Sequence, residues 1–169
     1  IASLIGGGGA ADSPTVSIAP WAIGENLTGG LGDGNMGNTF LTYVSGTGFR
    51  PLSLTTEYST YATAGDTNNV RESLNANLSG LSSRTLNSLV INNDNTAALS
   101  VLGSGVGQSL TNTSGGFLFT VTNGVASTAY NTELGGFNDG ILPPAGEYIF
   151  HVINPSSGAT TFLLTATVS

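Results

Sequence analysis

Phe117-Leu118-Phe119-Thr120-Val121-Thr122 decides the fold class. Read at a period of two, the stretch puts Phe117, Phe119 and Val121 on one face, as a pleated strand does. Two further runs read the same way. Tyr148-Ile149-Phe150-His151-Val152-Ile153 is apolar at nearly every position, and Phe162 to Val168 starts apolar and then alternates. Apolar character on both faces predicts strands covered from both sides. Weaker strand signals lie at Val16 to Ile18, Phe40 to Val44, Leu86 to Ile91 and Ala98 to Leu102. These runs are rich in Val, Ile, Thr, Phe and Tyr, the residues that pack well on a pleated surface.

Turn chemistry separates the runs. Asn92-Asn93-Asp94-Asn95, Asn123-Gly124, Asp139-Gly140 and Asn154-Pro155-Ser156-Ser157-Gly158 all favour tight reversals. Glu57 to Ala62 and Val70 to Leu78 each have room for a helical turn, but neither sustains a 3.6-residue period. Gly24 to Gly37 reads as one long loop, and Gly103 to Gly116 is irregular. The strand signals recur at uneven intervals, with no register-perfect repeat.

Composition narrows the architecture. Ser, Thr, Asn and Gly supply 82 of the 169 residues, and only 8% are charged. Two all-β architectures bury strands like these: a parallel β-helix, or solenoid, and an antiparallel β-sandwich. Asn- and Gly-rich corners with scarce charge suit the solenoid. Stacked strands bring like positions about 4.8 Å apart, where charges repel and Asn side chains form ladders. The whole chain, 1–169, reads as a single β-rich domain. Residues 1–9 form an apolar strand followed by a glycine hinge that would allow it to detach.

The charge pattern excludes several partners. Lysine is absent, and Arg50, Arg71 and Arg84 face ten acids for a net charge of -7. Three scattered arginines cannot neutralise a phosphate backbone, so no nucleic-acid partner is expected. Anionic membranes are disfavoured for the same reason. No apolar run reaches the roughly 18–20 residues of a spanning helix, so no membrane insertion is expected. With no cysteine, there is neither a disulfide framework nor a thiolate metal site. The excess of uncharged polar residues points to an extracellular surface.

Several segments, in order, resemble a known family. They are Ala2-Ser3-Leu4-Ile5-Gly6, then Ile18-Ala19-Pro20-Trp21-Ala22-Ile23-Gly24, Phe40-Leu41-Thr42-Tyr43 and Gly48-Phe49-Arg50-Pro51-Leu52 with Glu57-Tyr58. Asn69-Val70-Arg71, Thr85-Leu86-Asn87-Ser88-Leu89-Val90-Ile91 and Gly146-Glu147-Tyr148-Ile149-Phe150-His151 continue the series. Together they resemble bacterial surface proteins with autotransporter-associated β-strand repeats. The resemblance implies a parallel β-helix displayed outside the cell as a passenger stalk, and it supplies no catalytic residues. The chain is far shorter than such passengers and carries no membrane-barrel segment.

Candidate chemistry is sparse. His151, the one histidine, stands inside an apolar strand, where packing explains it better than a nucleophile's base. Glycoside hydrolysis needs two carboxylates facing one bond, and no two acids stand closer than six positions. Asp33-Gly34-Asn35 and Asp94-Asn95 offer oxygens to calcium, but read more simply as Asx turns. No catalytic residue, metal site or cofactor is therefore expected. Trp21, Tyr43, Tyr58 and Tyr61 are the aromatic residues a glycan-binding platform would use.

The strongest functional signal is at the ends. Ile1, Ala2, Ser3, Leu4 and Ile5 form an apolar strand, and the run containing Phe162, Leu164 and Val168 ends without a polar tail. No cap is evident at either end, and unpaired strand edges recruit other strands. The expected partner is therefore the protein itself, as an end-to-end homopolymer, or the rest of a longer passenger chain. The expected function is a non-enzymatic extracellular structural protein, a subunit or segment of a surface fibre or stalk. The alternative is an adhesin or glycan-binding passenger module with glycans as partners.

Overall fold

The computed structural model describes residues 4–26, 37–93, 98–121, 129–142, 147–153 and 159–168. Among the described residues every regular element is a strand. In chain order they are β1 (Ala19–Gly24), β2 (Thr39–Val44), β3 (Gly48–Pro51), β4 (Asn69–Leu74), β5 (Leu78–Leu81), β6 (Arg84–Leu86) and β7 (Ser88–Asn93). They continue as β8 (Leu99–Gly105), β9 (Ser109–Asn112), β10 (Gly116–Val121), β11 (Ala129–Phe137), β12 (Gly140–Leu142), β13 (Ile149–Ile153) and β14 (Ala159–Leu164).

β4 to β14 form three parallel sheets. Their orders are β13-β10-β7-β4, β14-β11-β8-β5 and β12-β9-β6. The chain visits the three sheets in turn, so each sheet takes every third strand. Among the described residues antiparallel pairing of strands is confined to β1-β2-β3, and β4 to β14 do not pair as the sandwich alternative requires. Val70 to Leu78, read above as room for a helical turn, holds strand β4 and the start of β5. The hydrophobic alternation there is masked by Arg71 and Glu72.

Parallel register sets the core. Val70, Leu89, Phe117 and Phe150 align across the first sheet, and Ile91, Phe119 and Val152 form a second row. Leu99, Thr132 and Phe162 align in the second sheet, with Val101, Leu134 and Leu164 beside them. In the third sheet Leu110 pairs with Ile141, which bridges Val168. Most of these residues belong to one buried cluster, to which all three sheets contribute.

A second cluster explains why β7 and β10 are buried at every position. Val90 and Leu118 point away from the first cluster, and Val16, Ile18, Phe40, Leu52 and Tyr58 cover them. The N-terminal antiparallel sheet thus lies on the outer face of the first parallel sheet. The doubly apolar sequence of Phe117 to Val121 reports this double covering.

Polar residues lock the corners. Asn69 donates to the Val16 carbonyl at 2.9 Å, and its Oδ1 accepts from Asn87 Nδ2 at 2.8 Å and Ser88 Oγ at 2.9 Å. Thr113 Oγ1 donates to Asn87 Oδ1 at 3.2 Å. This ladder ties successive visits of the chain to one another and leaves these buried amides satisfied. Gly103 and Gly136 touch across β8 and β11: a Cβ on Gly136 would lie 2.6 Å from the Gly103 carbonyl oxygen, and Gly136 has φ +71°. Only glycine suits that pairing.

Candidate functional site

The two ends of the parallel stack differ. At the β4 end, the turns between Thr60 and Gly65 lie across the interior. Tyr61 and Ala64 are buried in the first cluster, and the Tyr61 hydroxyl donates to the Ser82 carbonyl at 2.9 Å. The Tyr61 amide donates to Glu72, whose carboxyl burial pushes up in pKa, partly countered by that hydrogen bond. The Arg84 guanidinium lies 5.5 Å from the Tyr61 ring centroid and donates to the Ala64 carbonyl. These contacts form a plug. This cap is not legible in the sequence, because turn residues contribute to it singly and across distance.

No such plug covers the β13 and β14 end among the described residues. Ile91 and Phe119 are buried, but Val152, next in their row, is 46% exposed. Leu89 and Phe117 are buried, whereas Phe150 is 36% exposed. Ile141 is buried, and its neighbour Val168 is 46% exposed. Three interior rows therefore run out into solvent at one face. The rings there are ordered against the core: Phe150 stacks on Phe117 with centroids 4.9 Å apart, and Phe162 on Phe119 at 3.6 Å.

The residues expected to mediate self-association separate into two places. Phe162, Leu164 and Val168 all belong to this open face, the first two half-buried. Ile1, Ala2 and Ser3 lie outside the described residues. Leu4 is half-buried, and Ile5 pairs with Ile18 of its own chain through two hydrogen bonds of 2.8 Å. The following glycines continue that docking: Gly8 donates to Ser17 Oγ and Gly9 to the Thr15 carbonyl. Residues 5–9 are thus held against residues 15–18 in this structure. Phe150 and Val152, absent from the expected set, complete the open face. Their run signals a strand, but not which strand is last.

The remaining candidates take structural positions. His151 Nε2 lies 2.9 Å from the Pro20 carbonyl oxygen, which only accepts, so that nitrogen carries the proton. The ring meets Phe40 edge-on at 6.1 Å. Tyr58 is buried, its hydroxyl accepting from the Phe40 amide and sharing a hydrogen bond with Thr39. Burial pushes its pKa up to about 12. With Tyr61 in the plug, two of the four expected platform aromatics are core residues, while Trp21 and Tyr43 are exposed. Tyr43 packs edge-on against the exposed Phe49 at 5.4 Å. Asp33-Gly34-Asn35 and Asp94-Asn95 lie outside the described residues.

The acids that are tied down hold the fold together. Glu133 accepts from Ser100 at 3.1 Å and Thr165 at 2.9 Å. Glu57, fully buried, takes a two-pronged ion pair from Arg50 at 2.6 and 2.7 Å, and accepts the Ser53 and Asp12 amides. Among the described residues no three His, Asp or Glu side chains gather as metal ligands. No helix among them is long and apolar enough to cross a membrane. No protein-family model matches the chain, and no curated protein and no solved structure matches it.

Proposed function

We propose that the three parallel sheets wind as a β-helix and that the protein is a non-enzymatic structural segment of an extracellular stalk. The reading follows the autotransporter-type passengers that the sequence resembles. The observation that carries it is the open face: interior rows ending on Phe150, Val152 and Val168 beside the edge strands β13 and β14. Protected edges carry lysines, prolines or inward charges. β13 and β14 carry none; their one ionisable residue, His151, is tied to Pro20. An apolar, unprotected edge of this kind fits a place where more β-structure is added.

In the isolated chain a second copy supplies that cover. One end is plugged and one is open, so the open faces meet and the interface is isologous. Sedimentation velocity tests this. The wild-type chain is expected to dimerise with rising concentration. Val152→Asp is expected to weaken the dimer by more than about 100-fold, because it buries an unpaired carboxylate. Val106→Asp, at a turn position 87% exposed, should sediment like wild type. A wild-type chain that stays monomeric up to its solubility limit contradicts the proposal.

A further inference from the structure

We infer that a cleft beside Trp21 binds one neutral pyranose ring of a glycan. The cleft measures about 210 Å³. Ile5, Pro20 and Ile149 form its apolar walls, Trp21 stands 39% exposed at it, and Ser114 and Glu147 line its polar side. Ligand sites combine apolar walls with a few placed polar groups, and those that take drug-sized ligands span about 300–1,000 Å³. This smaller cleft suits a single ring.

The floor is preorganised. Ser114 Oγ is held by Asn112 and the Gly116 amide, at 3.3 and 3.1 Å. Gly115, at φ +73°, lets the 113–115 turn approach so closely that a Cβ would lie 2.1 Å from the Glu147 carbonyl oxygen. The Ile149 amide then donates to the Gly115 carbonyl at 2.9 Å. The Glu147 backbone is thereby held at the rim next to Ser114, and its exposed carboxylate makes no hydrogen bond to the described residues. Pro20, which precedes Trp21, is held by His151 through its carbonyl.

The chemistry selects the ligand. An indole face packs against the C–H face of a pyranose, while a carboxylate accepts from its hydroxyls. Among the described residues Glu147 is the only charged one lining the cleft, and no arginine lines it. Acidic sugars would meet an unshielded carboxylate, so the ring is neutral.

Trp21 is the only tryptophan, so its fluorescence reports the site without interference. The full chain is titrated with cello-, chito- and malto-oligosaccharides and with an oligogalacturonate. At least one neutral saccharide should shift the emission saturably, and the acidic one should not. By calorimetry, Trp21→Ala should weaken that binding by at least about tenfold and Glu147→Gln by severalfold. Trp21→Phe, which keeps an aromatic face, should retain part of it. Trp21→Ala should melt near wild type, since the residue is partly exposed. The inference is overturned if no neutral saccharide binds at millimolar concentration, if only the acidic one binds, or if Trp21→Ala or Glu147→Gln binds like wild type.

Discussion

Glu57→Ala is expected to lower the unfolding free energy by about 3–5 kcal/mol, the range for breaking a buried ion pair from one side. Glu57 is fully buried, whereas the Arg50 side chain is 28% exposed. The loss is shared by the part-exposed arginine and by the Ser53 and Asp12 amides, each left without its carboxylate acceptor. Those two amides anchor the turn before β1 and the segment after β3, so the substitution loosens the covering sheet rather than the parallel stack. Denaturant titration at neutral pH measures the total.

The same residue sets an acid limb. Burial alone would raise the Glu57 pKa, but the Arg50 hydrogen bonds, the two amides and the Arg50 charge outweigh it, so its pKa lies below 4.5. A carboxylate with a lowered folded pKa adds stability that is complete above its unfolded value and is lost as pH falls through the folded one. The wild-type melting temperature should therefore fall as acid is added below about pH 4.5, and this part of the fall should be missing in Glu57→Ala. An identical acid limb in both proteins would show that the ion pair is not the titrating element.

Phe117→Ala is expected to cost about 3–5 kcal/mol, as large aromatic truncations in a core do. Phe117 is fully buried, stands in register between Leu89 and Phe150, and stacks on Phe150 and Phe119. Its neighbours are strands whose backbones are fixed at the parallel spacing, so the site cannot collapse around the void. Phe150→Ala occupies the next position in the row but is partly exposed, and should cost less than half as much in the monomer. Equal costs at the two positions would mean that the row does not end at β13.

What the sequence shows of this fold depends on how many faces of each strand are covered. β10 and β13 are legible because apolar residues fill both faces or nearly so. β9 and β12 each contribute mainly one residue to the interior, Leu110 and Ile141, and so show no alternation. β11 is interrupted by Gly135-Gly136, which serve close approaches rather than a hydrophobic pattern: Gly136 faces Gly103 of β8 and Gly135 faces Thr165 beyond β14. The aligned residues Val70, Leu89, Phe117 and Phe150 are spaced more widely at each step, because the turns lengthen along the chain. That growth hides the repeat although the register is regular. The apolar C-terminal edge was readable from Phe162, Leu164 and Val168. The plug was not, because Tyr61, Ala64, Glu72 and Arg84 meet only through long-range contacts.

In-register parallel stacking is the central claim, and a disulfide tests it most directly. Thr85 and Thr111 are aligned partners on β6 and β9, both half-buried at an open outer groove. Parallel neighbours lie about 4.8 Å apart, within the Cα range a disulfide spans. The chain has no cysteine, so an introduced pair has no competitor. The double variant Thr85→Cys/Thr111→Cys should close quantitatively under mild oxidation, read on a non-reducing gel. Thr85→Cys/Ser100→Cys, whose residues belong to different sheets, should stay open. Failure of the aligned pair to close, or equal closure of both pairs, would contradict the parallel register.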